Sequence, residues 1–154
     1  MDIAKAPNEL LEAMKEHELA LARLYGLYAE KYPDYKDFWT SLSLEENQHA
    51  AWLDQLWSEI ENGSEDIIIE RFPIGAVQRS TEYVKKLEDT AYQADFLLVN
   101  ALSTALRLEE ALMENKFFKV CEGDSIKTKR TLNLLAQSTL EHCLKVRELW
   151  QRHR

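Results

Sequence analysis

Four stretches of this 154-residue chain carry apolar residues at steps of three and four, and this repeat confines the fold to packed helices more tightly than any other feature. The first stripe runs through Leu11, Met14, Leu21, Tyr25 and Tyr28, and the second through Trp39, Leu42, Leu53, Leu56 and Ile60. The third takes Val99, Leu102, Leu106 and Met113, and the fourth Leu132, Leu135, Val146 and Leu149. Each stripe is broken, in register, by polar residues: Glu18 in the first, Glu46 and His49 in the second, Glu109 and Lys116 in the third, Thr139 and His142 in the fourth. With only four glycines and three prolines, little interrupts long helices.

Punctuation divides the stripes. The spacing predicts helix A from about Asn8 to Lys31, stopped by Tyr32-Pro33-Asp34. Asp34 suits the N-cap of helix B, which runs to about Asn62 with Gly63 just beyond its end. Residues 64–73 are irregular, with Ile67–Ile69 a short possible strand, and Pro73 can open a shorter helix over about Ile74 to Asp89. Thr90-x-x-Gln93 resembles a capping box that begins or re-sets helix C, which continues to about Glu122. Gly123 ends it, Asp124 or Ser125 caps helix D, and helix D runs to Arg154. Gly26 inside helix A lowers local helix propensity by ~1 kcal/mol, which a close helix contact would explain.

Short A–B and C–D turns make two antiparallel hairpins, and the B–C link of about 30 residues is long enough to climb a helix of ~40 Å. Heights agree. Glu18 lies 15 residues before Pro33 and Glu46 lies 13 after it; Glu109 lies 14 before Gly123 and Thr139 lies 16 after it. Glu18, Glu46, His49, Glu109 and His142 should therefore meet midway along the helices. The 31-residue span from Glu18 to His49 and the 33-residue span from Glu109 to His142 form a weak internal repeat. If helix C is rotated, Glu110 replaces Glu109.

Buried carboxylates and imidazoles are costly unless something compensates them. In a four-helix bundle, inward Glu and Glu-x-x-His residues are usually compensated by a pair of metal ions. Imidazole with carboxylate suits iron, manganese or zinc. A hydrogen-bonded Glu–His pair without metal is the plainer alternative. The net charge of −8 argues against nucleic acid or an anionic membrane as partner, and no apolar run approaches the ~20 residues of a spanning helix. The N-terminus lacks a signal-peptide core, and Cys121 and Cys143 fit no CxxC pattern, so a single reduced, cytoplasmic domain over 1–154 is expected. His17 and His153 read as solvated and Cys143 as a small packed hydrophobe. Trp52 and Trp57, off the main seam, could form a dimer or partner surface.

Four stretches, Glu18-LALARL-Tyr25, FWTSLSLEENQHAAWL, ALSTALRLEEAL and LAQSTLEHCLKV, resemble the rubrerythrin branch of the ferritin-like superfamily over nearly the whole chain. The resemblance implies an all-α ferritin-like four-helix bundle, two hairpins joined by a crossover containing a short helix. It implies a di-iron site at Glu18, Glu46, His49, Glu109 and His142, with Glu46 bridging and Tyr25 near the metals in a catalytic part. The activity implied is reduction of O2 or peroxide, and the alternative is a degenerate bundle that binds metal or serves as a non-catalytic scaffold. Two departures stand out. Thr139 occupies the position of a sixth ligand, so one iron rather than two is a credible content; Glu141 points about 160° away around the helix. The family's rubredoxin segment is also absent, so electrons would come from an external electron-transfer protein. A homodimer is expected.

Overall fold

Helices form where the apolar stripes place them. The computed structural model describes residues 7–61, 67–69, 74–114, 121–123 and 126–154, with side chains over 9–59, 74–112 and 129–154. Helix α1 (Pro7–Lys31) begins with a proline at a position where its missing N–H costs nothing. Its last turn closes with the Tyr32 N–H on the Tyr28 carbonyl at 2.9 Å. A 3-10 turn, Pro33–Tyr35, feeds directly into α2 (Lys36–Glu61), so Asp34 sits within that turn rather than capping α2 from outside. The expected end of helix B at Asn62 and Gly63, Pro73 and the Asp124/Ser125 cap lie outside the described residues.

After strand β1 (Ile67–Ile69), helix α3 (Ile74–Leu87) and a 3-10 turn (Glu88–Tyr92) complete the crossover. Helix α4 spans Leu98–Glu114, strand β2 spans Cys121–Gly123 and helix α5 spans Ile126–His153. Two expectations for the third helix need correction. It starts at Leu98, not Thr90, because the Thr90 hydroxyl donates backward to the Leu87 carbonyl at 2.5 Å and also meets the Tyr28 hydroxyl at 2.7 Å. The cap is Asn100, whose Oδ1 accepts the Leu97 N–H at 2.9 Å, the reciprocal half of a capping box.

The second correction is its end. Residues 121–123 form a strand, so Gly123 terminates no helix and the connection from α4 to α5 is not a tight turn. Cys121, Glu122 and Gly123 pair antiparallel with Ile69, Ile68 and Ile67. A strand's backbone N–H and C=O groups need partners, and β2 provides them for β1. Among the described residues, the regular structure apart from this ribbon is helical.

Helix α1 packs most extensively on α2, and α4 on α5; α3 lies along α1, and α2 meets α5. One apolar core takes Leu21 and Leu24 from α1, Leu42 and Leu53 from α2, and Val77 and Val84 from α3. Leu102 and Ala105 of α4, and Leu135 and Val146 of α5, complete it. Each such buried leucine contributes about 1.5–3 kcal/mol. Trp52 and Trp57 are half-buried against this core. At Gly26, an added Cβ would lie 3.6 Å from Ser43 Oγ, an ordinary contact, so close helix approach does not account for this glycine. Among the described residues no helix is long and apolar enough to cross a membrane.

Candidate metal centre

Four helices deliver five ionisable side chains to one dry place. Glu18 comes from α1, Glu46 and His49 from one face of α2, Glu109 from α4 and His142 from α5; none is more than 2% exposed. All five residues expected to converge do so. Helix α4 is not rotated: Glu109 is fully buried, while Glu110 lies at the surface and accepts from Arg147 Nη2 at 2.9 Å.

Glu46 is the centre of the arrangement. His49 Nδ1 donates to its Oε2 at 3.1 Å, and His142 Nδ1 donates to its Oε1 at 2.8 Å. Glu18 Oε2 lies 3.6 Å from His49 Nδ1, and Glu109 Oε1 lies 3.6 Å from His142 Nδ1. The two imidazoles stack, centroids 5.1 Å apart and 21° from parallel. Two overlapping triads result, Glu18–Glu46–His49 and Glu46–Glu109–His142, each with ligand atoms within 4.8 Å of one another. Either triad could hold a metal ion, and Glu46 belongs to both.

The outer face of each imidazole is also held. His49 Nε2 bonds Ser138 Oγ at 2.7 Å, and the Trp52 ring stacks on His49 at 5.7 Å. His142 Nε2 donates to Glu45 Oε2, and Glu45 Oε1 in turn accepts from Lys145 Nζ at 3.3 Å. Neither Glu45 nor Ser138 stood out in the sequence, because each lies off the apolar stripe of its helix. The adjacent acids Glu45-Glu46 were the one available signal.

Electrostatics bind protons where cations would sit. Burial alone would depress both imidazoles, but the carboxylates outweigh it: Glu18 and Glu46 raise His49 to about 10, and Glu109 and Glu46 raise His142 to about 11. Burial, then repulsion from Glu46, lifts Glu18 to about 8. Burial pushes Glu45 up, yet His142 and Lys145 together hold it below its usual value. Burial and then Glu109 keep the Tyr25 phenol protonated far above 10.0; its hydroxyl donates to Glu109 Oε1 at 2.8 Å.

Thr139 is buried at the expected ligand position, and its hydroxyl donates to the Leu135 carbonyl of its own helix at 2.9 Å. Glu141 is exposed and stands apart, as its helical phase requires. His17 was expected to be solvated; it is 2% exposed, with Nε2 on Ser80 Oγ at 2.8 Å, because α3 of the crossover covers this part of α1. His153 is exposed, with Nε2 on the Tyr35 hydroxyl at 3.0 Å, and Cys143 is buried.

Two carboxylate oxygens bear on whether cations belong here. Glu18 Oε2 and Glu109 Oε2 are buried with no hydrogen-bond partner, a costly state for a polar oxygen that ligation would relieve. Nitrogen and oxygen donors in this ratio suit iron, manganese or zinc. No family model, curated protein or solved structure matches this chain.

Proposed function

We propose that this chain is a rubrerythrin-like member of the ferritin-like bundles that binds two metal ions, iron first among them, between Glu18, Glu46, His49, Glu109 and His142. The single observation that carries the reading is Glu46, one oxygen of which faces His49 and the other His142. That is the disposition of a bridging carboxylate in helical di-metal sites. The element order supports it too: two long helices, a crossover with a short helix, then two more long helices.

In this reading Glu18 and His49 complete one half-site, Glu109 and His142 the other. When bound, a pair of iron ions supplies the two electrons that reduce dioxygen or peroxide. The chain's own contributions are positional. Burial excludes bulk water from all five side chains, and Ser138 and Glu45 hold each imidazole with Nδ1 turned inward. An external electron-transfer protein would restore the reduced state.

Elemental analysis after loading with ferrous iron and desalting tests the reading. Close to two ions per chain are expected, and Glu46→Ala should lose both. Metal no higher in the wild type than in that variant would end it. A second reading, metal holding without turnover, is favoured by Thr139, which offers no ligand to the Glu109–His142 half. Peroxide consumed over many cycles with a reductant would reject this second reading; bound iron without consumption would support it.

A further inference from the structure

The half-site of Glu46, Glu109 and His142 is one anionic donor short. Its neighbour on α5, Thr139, cannot supply it, since the hydroxyl is committed to the Leu135 carbonyl. Another oxygen is already in place. The Tyr25 hydroxyl lies 2.8 Å from Glu109 Oε1, the same oxygen that His142 Nδ1 approaches at 3.6 Å. Tyr25 stands two helical turns after Glu18 on the same face of α1 and is fully buried. Its ring is fixed against Trp39, centroids 5.7 Å apart. Glu109 Oε2, beside it, has no hydrogen-bond partner.

We propose that Tyr25 is a ligand as well as a neighbour: its phenolate oxygen completes a ferric site with Glu46, Glu109 and His142, in place of the carboxylate that Thr139 lacks. Resting on the di-metal reading, this restores four anionic oxygen donors to a site whose architecture ordinarily has four carboxylates. A hard trivalent cation favours anionic oxygen. The step moves no electrons. The Tyr25 O–H bond breaks, the proton leaves to buffer by way of the Glu109 carboxylate, and the oxygen lone pair forms the bond to ferric iron.

Ferric nitrilotriacetate is the probe. Loaded and desalted, the wild-type protein should show a visible phenolate-to-iron charge-transfer band and, with excitation into that band, tyrosinate ring modes in the resonance Raman spectrum. Tyr25→Phe should lose both while retaining iron at the Glu18–His49 half. Thr139→Glu, which keeps the tyrosine but restores a carboxylate, should weaken the band, and carries the test if the Phe variant does not fold. Iron retained by the wild type without the band, a band undiminished in Tyr25→Phe, or a band undiminished in Thr139→Glu, would overturn the inference while leaving the metal centre standing. A wild-type protein that retains no iron at all would overturn the di-metal reading, and this ligand with it.

Discussion

Glu45 and Glu46 are neighbours in sequence yet serve opposite faces of one imidazole. Glu46 Oε1 takes the inner nitrogen of His142, and Glu45 Oε2 takes the outer one. A metal-bound histidine gains basicity and a fixed ring orientation from such an outer acceptor, and losing one typically costs 10–100-fold in affinity. Glu45→Ala should therefore weaken the Glu109–His142 half by about 10–100-fold in a chelator competition, leaving the His49 half nearly unchanged. Glu45→Gln, which keeps an acceptor, should fall between; equal affinities in all three proteins would show that Glu45 positions nothing. At this scale much was legible. A glutamate or histidine interrupting an apolar stripe announces its burial, and Glu18, Glu46, His49, Glu109 and His142 were all readable that way. Glu45, Ser138 and the burial of His17 were not, because each depends on a side chain of another helix.

Among the elements, the stripes placed α1, α2 and α5 close to their observed limits, Pro73 placed α3, and α4 was the exception. Its start depends on Asn100 reaching back to Leu97, while the more conspicuous Thr90 turns backward to Leu87. Asn100→Ala should destabilise the protein by about 1 kcal/mol in urea denaturation, the net worth of one such hydrogen bond; no change would remove Asn100 from the cap. Helix α1 offers the opposite test. Gly26 has room for a methyl group, its nearest neighbour being Ser43 Oγ at 3.6 Å. Gly26→Ala should stabilise by up to ~1 kcal/mol, and a loss of stability would show that the position is tighter than this distance implies. The β1–β2 ribbon was half legible. Three consecutive isoleucines suggested a strand, but the partner Cys121–Gly123 has no strand pattern of its own.

For the molecule as a whole, the buried cluster links stability to pH with a sign that metal should reverse. In the metal-free fold Glu18 titrates near 8 instead of 4.5, and His49 and His142 near 10 and 11 instead of 6.5. The native state then holds more protons than the unfolded chain between those limits, so stability falls as pH rises through that window. With metal bound, the same groups are deprotonated in the native state, and stability rises with pH through the unfolded values, from about 4 to about 6.5. Melting temperatures from about pH 5 to about pH 9, with chelator and with added metal, should slope oppositely over the acid half of the range. Parallel slopes would mean that the cluster holds no cation. At a metal concentration of about 100 times Kd, loading should add about 2.7 kcal/mol.

The sequence by itself determined how many long helices there are, roughly where they lie, and which face of each carries acid and imidazole into the interior. That information is local: a period near 3.6 residues says which side is buried whatever the partner is. Only the tertiary structure decided how those groups pair and what stands behind them. It set Glu46 between two histidines, Glu45 and Ser138 behind them, Tyr25 against Glu109, and β2 beside β1. Apart from Glu46 with His49, these pairings join residues far apart in the chain, and their energies depend on desolvation and mutual orientation, which no periodicity along one helix encodes.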